Sequence, residues 1–175
     1  MDTLKFITDG MLGKLTRWLR LLGYDVEYAN DMEDKKLMTL AMKEKRTLLT
    51  QDLELFQQAT MHGIDTFLVE GRTEVERLAY MSKKYDLPLE IDVTISRCPK
   101  CNARIRPIAK DNVADKVEQA TFKFYDEFWA CPQCSQIYWQ GAHWKRIMET
   151  LERAKKASKT QTNVASFESG EPNKK

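Results

Sequence analysis

Two short cysteine motifs constrain this chain more than any other feature of its sequence. All four cysteines lie in CPxC pairs, Cys98 with Cys101 and Cys131 with Cys134. A CxxC turn presents two sulfurs on one side, and two such turns supply the four thiolates that a tetrahedral zinc ion requires. The two pairs are separated by residues 102–130, so a hairpin or an insertion must lie between them. Because four protein ligands leave no open position, the sequence predicts a structural zinc site.

The alternative for these cysteines is a pair of disulfides or a set of free buried thiols. Residues 1–22 do not resemble a secretory signal, because Lys5, Lys14, Arg17 and Arg20 interrupt their apolar pattern. We therefore expect a cytoplasmic protein whose thiols stay reduced, which favours zinc. The sequence contains no run of 18 apolar residues, so we expect no membrane partner.

The first 97 residues alternate short apolar runs with amphipathic stretches, which predicts strands alternating with helices. Strands are predicted at 4–8, 26–29, 47–50 and 66–69, and helices at 11–22, 34–45, 53–61 and 74–85. Gly23 is expected to end the first helix. This order indicates an α/β fold with a parallel sheet and helices on both faces. In such sheets the functional site lies at the carboxyl ends of the strands.

The pattern changes beyond residue 88, where both cysteine pairs and many aromatic residues occur. A helix at about 143–156 is expected to close the fold. Trp139 and Trp144 are expected to pack against the zinc site, with base stacking on an exposed ring as the alternative. Residues 155–175 are rich in Lys, Ser, Thr and Asn, which predicts a disordered tail. A basic arm that contacts nucleic acid is the other reading of this tail.

Three aspartates follow the predicted strands. Asp9 comes after the first strand, Asp52 comes after the third, and Asp34 opens the helix after the second. Carboxylates gathered at one edge of a sheet repel one another unless a cation lies between them, and oxygen ligands with open water positions suit Mg²⁺ or Mn²⁺. The pattern therefore favours metal-assisted hydrolysis of a phosphodiester bond.

Each of these aspartates also has a structural interpretation. A carboxylate at the start of a helix caps the free backbone N–H groups, and each of the three stands at such a position. Asp31 and Glu33 compete with Asp34 for the second ligand position. The chain has only two histidines, and we expect both to lie far from the edge where these acids gather, so a histidine-based ribonuclease is not indicated.

Basic residues recur every three positions along the first helix, at Lys14, Arg17 and Arg20. One interpretation is a solvated charged face. The other is that these residues bind phosphates, with Lys14 and Arg17 nearest the helix start and therefore nearest the acids.

Five segments, taken in order, resemble the successive motifs of the Mut7-C family, which combines a PIN-like ribonuclease domain with a zinc ribbon. They are MLGKLTRWLRLLGYD (11–25), DKKLMTLA (34–41), LLTQD (48–52), SRCPKCN (96–102) and YWQGAHW (138–144). Ordered motifs at matching separations are more specific than any one of them, and the resemblance covers roughly residues 4–150.

This resemblance implies a PIN-like domain over 1–95, a zinc ribbon with its closing helix over 96–154, and the tail over 155–175. It implies a ribonuclease that depends on Mg²⁺ or Mn²⁺, with Asp9, Asp34 and Asp52 as its catalytic acids and RNA, for example ribosomal RNA or tRNA, as its partner. PIN nucleases commonly have a fourth acid near the last motif, and neither Glu54 nor Glu70 matches that position well.

Two other functions remain open at this point. The first is a non-catalytic adaptor that binds RNA or the ribosome through the zinc ribbon. The second is a protein-interaction module in which the zinc ribbon docks a partner and the acids serve as helix caps. The sequence does not indicate an oligomeric state.

Overall fold

Strands and helices alternate through the first half of the chain, as predicted. The computed structural model describes residues 4–164. Strands β1 to β4 are Lys5–Asp9, Asp25–Ala29, Thr47–Thr50 and Thr66–Leu68. Helices α1 to α4 are Gly13–Leu21, Asp34–Glu44, Leu53–Met61 and Glu74–Tyr85, and a 3₁₀ turn, Gly10–Leu12, precedes α1.

The first four strands form one parallel sheet in the order β2-β1-β3-β4. Asp9, the last residue of β1, pairs with Ala29, the last residue of β2. Thr50, the last residue of β3, pairs with Leu68 of β4. The carboxyl ends of all four strands therefore meet at one edge, and the predicted α/β fold with a parallel sheet is confirmed.

Apolar residues cover both faces of this sheet because successive strand residues point in opposite directions. Phe6 and Leu49 lie in one core cluster with residues of α1 and α4. Ile7 and Leu48 lie in another with residues of α2 and α3. The predicted placement of helices on both faces is confirmed.

Gly23 ends α1 as predicted. Its backbone has a φ of 96°, which only glycine adopts readily, and its N–H donates to Arg20 O at 2.9 Å. A Cβ at this position would lie 3.0 Å from Ile95, so the turn also needs glycine for space.

A small antiparallel sheet forms the second unit. Strands β5, β6 and β7 are Arg106–Ile108, Phe128–Ala130 and Ile137–Tyr138, in the order β5-β6-β7. Helix α5, Gln119–Phe124, lies between β5 and β6 in the chain. The long segment between the two cysteine pairs therefore contains strands β5 and β6 and a short helix, as its length requires.

The last helix, α6, runs from Ala142 to Val164 and packs against α4. Leu151 and Ala154 are fully buried in the core cluster that also contains α1 and α4 residues. The sequence groups this helix with the zinc ribbon in 96–154, and its packing joins it also to the α/β unit. The tail predicted to be disordered begins within this helix, since residues 155–164 are helical, and residues 165–175 lie outside the described residues. None of the described helices is long and apolar enough to cross a membrane.

Candidate metal centre and acidic edge

The four cysteine sulfurs converge, as the sequence predicts; we call them the cysteine centre. Cys98 Sγ lies 3.5 Å from Cys134 Sγ, Cys101 Sγ lies 3.3 Å from Cys131 Sγ, and all four lie within 4.8 Å of one another. A zinc ion with Zn–S bonds of about 2.3 Å holds its sulfurs about 3.8 Å apart. A disulfide requires about 2.05 Å, and the four thiols are free. The cysteine centre can therefore hold a metal such as zinc.

The two cysteine turns are built alike. Asn102 and Ser135, each directly after its turn, have φ values of 70° and 58°. Each donates its N–H to the carbonyl of the first cysteine of its own turn, Asn102 to Cys98 at 2.9 Å and Ser135 to Cys131 at 3.0 Å. This left-handed residue turns the chain back so that both sulfurs of a pair face the same point.

The environment of the cysteine centre separates the pKa values of its thiols. Burial raises the pKa of Cys98, but hydrogen bonds from the Tyr138 hydroxyl, at 3.0 Å, and from backbone N–H groups outweigh burial and bring it to about 7. Burial raises the pKa of Cys101 to about 12. Binding of a metal must therefore displace protons, and affinity for the metal falls in acid.

Arg20 joins the first cysteine turn to the α/β unit. Its side chain is buried, with 5% of its surface exposed. Its Nε and Nη2 donate to Val26 O at 3.0 and 2.8 Å, and its Nη1 donates to Pro99 O at 3.1 Å and Lys100 O at 3.2 Å. Arg20 was predicted to bind RNA, but its N–H groups face carbonyl oxygens of the chain itself.

A second connection runs through Asn102, the residue directly after the first cysteine turn. Its Oδ1 accepts from Val26 N at 3.1 Å, and its Nδ2 donates to Asp25 Oδ1 at 2.8 Å. Asp25 also accepts from Arg46 at 2.8 Å. Burial raises the pKa of Asp25, but the hydrogen bonds from Arg46 and Asn102 outweigh burial, so its pKa lies below the usual range.

Asp9 lies at the carboxyl ends of the strands, which we call the acidic edge. Its side chain is buried; Oδ2 accepts from the Thr50 hydroxyl and Oδ1 accepts from Met11 N at 2.9 Å. Thr50 Oγ1 in turn accepts from Asp52 N at 2.9 Å. The hydroxyl of Thr50 thus connects the two acidic segments that follow β1 and β3. Thr50 was missed as a site residue, although its place in a Thr-x-Asp motif was the available signal.

Asp52 also serves as a helix cap. Its Oδ1 accepts from Glu54 N at 2.8 Å and Leu55 N at 3.1 Å, at the start of α3. The side chain is exposed, and within the described part of the chain no hydrogen bond reaches its second carboxylate oxygen. The cap interpretation is therefore correct for Asp52, and it leaves one oxygen for a ligand.

Asp34 lies in the first turn of α2 and is exposed, as are Asp31 and Glu33. Asp31 accepts from Asn30 Nδ2 at 3.1 Å, and Glu33 lies 3.5 Å from Lys36 Nζ. Among the described residues, the cysteine centre is the one set of three or more potential ligands within 4.8 Å, so the structure does not bring Asp9, Asp34 and Asp52 together to that distance.

The loops after β1 and β2 meet beside Asp9. A Cβ on Gly10 would lie 2.8 Å from Asn30 O, and the Tyr28 hydroxyl lies 3.1 Å from Gly10 O. The close neighbour of Gly10 is therefore the chain's own loop after β2, which is held next to Asp9.

Lys14 and Arg17 are exposed on α1, as predicted. They line a groove of about 300 Å³ together with Trp18, Pro99 of the first cysteine turn and Ile147 of α6. We call this the basic groove. It leads from the start of α1 towards the antiparallel sheet.

One protein-family model, described as the Mut7-C RNAse domain, matches residues 4–151. No curated protein and no solved structure gives a significant match. Because the family model spans most of the chain, the chain belongs to the Mut7-C family, as its five motif-like segments predict. The description of the family indicates a ribonuclease-like role with RNA as substrate or partner.

Proposed function

We propose that this member of the Mut7-C family is a divalent-metal-dependent ribonuclease that hydrolyses RNA phosphodiester bonds at the acidic edge. The observation that carries the proposal is the buried Asp9 carboxylate, held by the Thr50 hydroxyl, which also accepts from Asp52 N. Burial of a carboxylate is costly, and a helix cap alone does not require it. Its position at the carboxyl end of a parallel sheet is where such folds bind ligands.

In this proposal Asp9, Asp34 and Asp52 are the ligands of Mg²⁺ or Mn²⁺. Mg²⁺ usually keeps several waters and takes one or two carboxylates directly, so the acids need not all touch the ion. Asp9 and Asp52 suit direct contact because Thr50 fixes their separation, whereas the exposed Asp34 suits contact through water. A bound ion would supply an activated water and offset charge at phosphorus. Asp9 and Thr50 hold the ligand geometry, and Lys14 and Arg17 neutralise phosphates.

The division of the chain into domains, the identity of the metal at the cysteine centre and the cellular location belong to the same proposal. Residues 1–95 form the PIN-like nuclease part, with α6 packed onto it, and the zinc ribbon within 96–154 helps to hold RNA. The cysteine centre holds structural zinc. The protein acts in the cytoplasm, where its thiols stay reduced, on RNA such as ribosomal RNA or tRNA.

The direct test is cleavage of labelled RNA by the zinc-loaded chain with added Mg²⁺ or Mn²⁺. Asp9→Asn keeps the size of the side chain and removes the charge, so activity should fall at least about tenfold while the melting temperature is retained. The matched control is Asp65→Asn. Asp65 accepts from Thr47 Oγ1 at 2.5 Å at the opposite edge of the same sheet, so its loss should leave cleavage unchanged. Cleavage by Asp9→Asn at the rate of the parent would contradict the proposal.

Thr50 is a positioning residue in this scheme, because it acts through Asp9. Thr50→Val removes the hydroxyl that holds the carboxylate, so we expect weaker activation by Mg²⁺, seen as a higher metal concentration at half-maximal rate. Thr50→Ser restores the hydroxyl and should restore the metal dependence. A purely structural role would lower the melting temperature without shifting the metal titration.

A non-catalytic RNA adaptor is the second candidate. The observation that favours it is that the three predicted acids do not come within 4.8 Å of one another among the described residues. RNA binding without cleavage in either metal would support the adaptor and exclude the enzyme.

A further inference from the structure

An apolar pocket of about 200 Å³ lies where α1, α6 and the antiparallel sheet meet. Four aromatic residues dominate its lining, namely Trp129, Tyr138, Trp139 and Trp144. Pockets for drug-sized ligands begin at about 300 Å³, so this one suits a single ring system. Aromatic rings around a space of that size are the surroundings in which a planar ring stacks.

The aromatic lining is held in place by the rest of the fold. The Trp139 ring lies 6.4 Å from the Phe128 ring, centroid to centroid, and a Cβ on Gly141 would lie 2.6 Å from Trp139 Nε1. Tyr138 is fixed by its hydrogen bond to Cys98. A ring that enters this pocket therefore meets ordered surfaces and costs little side-chain entropy.

The pocket continues into the basic groove. Leu21, Pro99 and Ile147 line both. At the far side of these shared residues stand the exposed Lys14 and Arg17. A ligand that fills both spaces must carry negative charge next to a planar apolar ring, which describes a nucleotide chain with one base unstacked.

We propose that this pocket takes one unstacked base of single-stranded RNA whose phosphates follow the basic groove. The inference rests on the proposed function, since it assigns the RNA a path towards the acidic edge. Ser96 Oγ donates to Leu21 O at 2.7 Å and Arg97 Nη1 donates to Asn102 O at 2.9 Å, whereas the buried Arg97 Nε has no hydrogen-bond partner among the described residues. Because the lining is almost wholly apolar, stacking dominates over hydrogen-bond readout, and discrimination among the four bases is weak.

The experiment measures binding of the zinc-loaded full chain to a labelled single-stranded RNA of about 12 nucleotides, without added Mg²⁺ or Mn²⁺. A second set of RNAs carries an abasic ribose at one position after another, which keeps every phosphate and removes one base. The variants are Trp139→Ala, Trp144→Ala and the milder Trp144→Phe. Phe124→Ala is the matched control, because Phe124 is an aromatic residue of α5 with 81% of its surface exposed and does not line the pocket.

We expect each alanine variant in the pocket to weaken binding by about five- to 150-fold, the range found for loss of one base–aromatic stack. Phe124→Ala should bind as the parent does. One abasic position should weaken binding by the parent protein and have no further effect on Trp144→Ala, because both changes remove the same contact. The dependence of affinity on salt should be unchanged in the tryptophan variants, since their phosphate contacts remain.

Parent-like RNA binding by Trp139→Ala and Trp144→Ala at an unchanged melting temperature would overturn the inference, and an apolar side chain of a protein partner would then be the better occupant. If an alanine variant does not fold, Trp144→Phe and the abasic series on the parent decide, and equal binding of all abasic RNAs overturns the inference. Cleavage by the parent is measured in parallel with Mg²⁺. If the parent cleaves RNA but the pocket variants bind RNA as the parent does, only the pocket proposal is rejected. If the pocket variants bind more weakly but the parent does not cleave, only the ribonuclease proposal is rejected. If the parent protein neither binds nor cleaves RNA, both the pocket and the ribonuclease proposal are rejected.

Discussion

Arg20→Met should destabilise the protein strongly, although Arg20 belongs to a series of basic residues whose spacing is typical of an exposed helix face. Its guanidinium satisfies the carbonyl oxygens of Val26, Pro99 and Lys100. Methionine keeps much of the apolar stem and removes every donor. Burial lowers the pKa of Arg20, which shows that holding the charge there has a cost that methionine would relieve.

The magnitude follows from those three oxygens. Each buried acceptor left without a donor costs about 1–3 kcal/mol, so the gross loss is about 3–9 kcal/mol. The lower part of this range applies, because the oxygens of Pro99 and Lys100 are only partly buried and relief of the desolvated charge offsets part of the loss. We expect a net decrease of about 3 kcal/mol in the free energy of unfolding.

The assay is urea unfolding of the zinc-loaded protein, followed by far-ultraviolet circular dichroism. Arg17→Met is the matched control on the same helix, and its exposed side chain should change stability by less than about 0.5 kcal/mol. Transfer of zinc to a chelator should also be faster in Arg20→Met, because Pro99 and Lys100 belong to the first cysteine turn. A change in unfolding free energy below about 1 kcal/mol, with an unchanged denaturant slope, would refute the reasoning.

Three other predictions concern the metal, the acid dependence and the phosphates. Elemental analysis should find one zinc per chain, and Cys98→Ser should lose both the zinc and the order of the antiparallel sheet, seen as rapid amide exchange there. Asp25 has a pKa below that of the unfolded chain, about 3.9, so its stabilisation is complete above that value and is lost as pH falls through the folded pKa. The stability difference between the parent and Asp25→Asn should therefore be constant from about pH 5 to 8 and shrink below about pH 4. Lys14→Ala/Arg17→Ala should lower the magnitude of the slope of log affinity against log salt by about 1.4, or about 0.7 for each phosphate contact on a single strand. An unchanged slope would mean that the basic residues of α1 are only a solvated charged face.

The α/β layer could be predicted because its signals are local. Period-two and helical patterns of apolar residues, with Gly23 at the end of α1, predict the bounds of each helix and strand to within a few residues. Four cysteines in two CxxC turns predict that their sulfurs converge on one point, as they do. The length of α6 could not be predicted in this way, because residues after 155 have the composition of a polar tail. Contact with α4 stabilises that helix through Leu151 and Ala154, which are buried far along its length.

The site could be predicted only in part, because its defining contacts join residues far apart in the chain. Asp9 and Asp52 belong to recognisable strand ends, yet the Thr50 hydroxyl that connects them lies 41 residues from Asp9. Asp34 is a carboxylate at the start of the helix that follows β2, as a metal ligand at this edge would be. Its exposure and its distance from the other acids depend on how the loop after β2 folds against Gly10, which no local pattern encodes.

The inward turn of Arg20 changes the interpretation of the whole basic face of α1. Three cations spaced every three residues indicate one surface, but the carbonyls of Pro99 and Lys100 draw the third cation into the interior. The same contacts that remove Arg20 from solvent place the first cysteine turn beside α1, where Pro99 becomes a wall of the basic groove. The first cysteine turn therefore lies where a phosphate-binding Arg20 would stand, and on the path we propose, a strand of RNA that leaves Arg17 meets the aromatic pocket next.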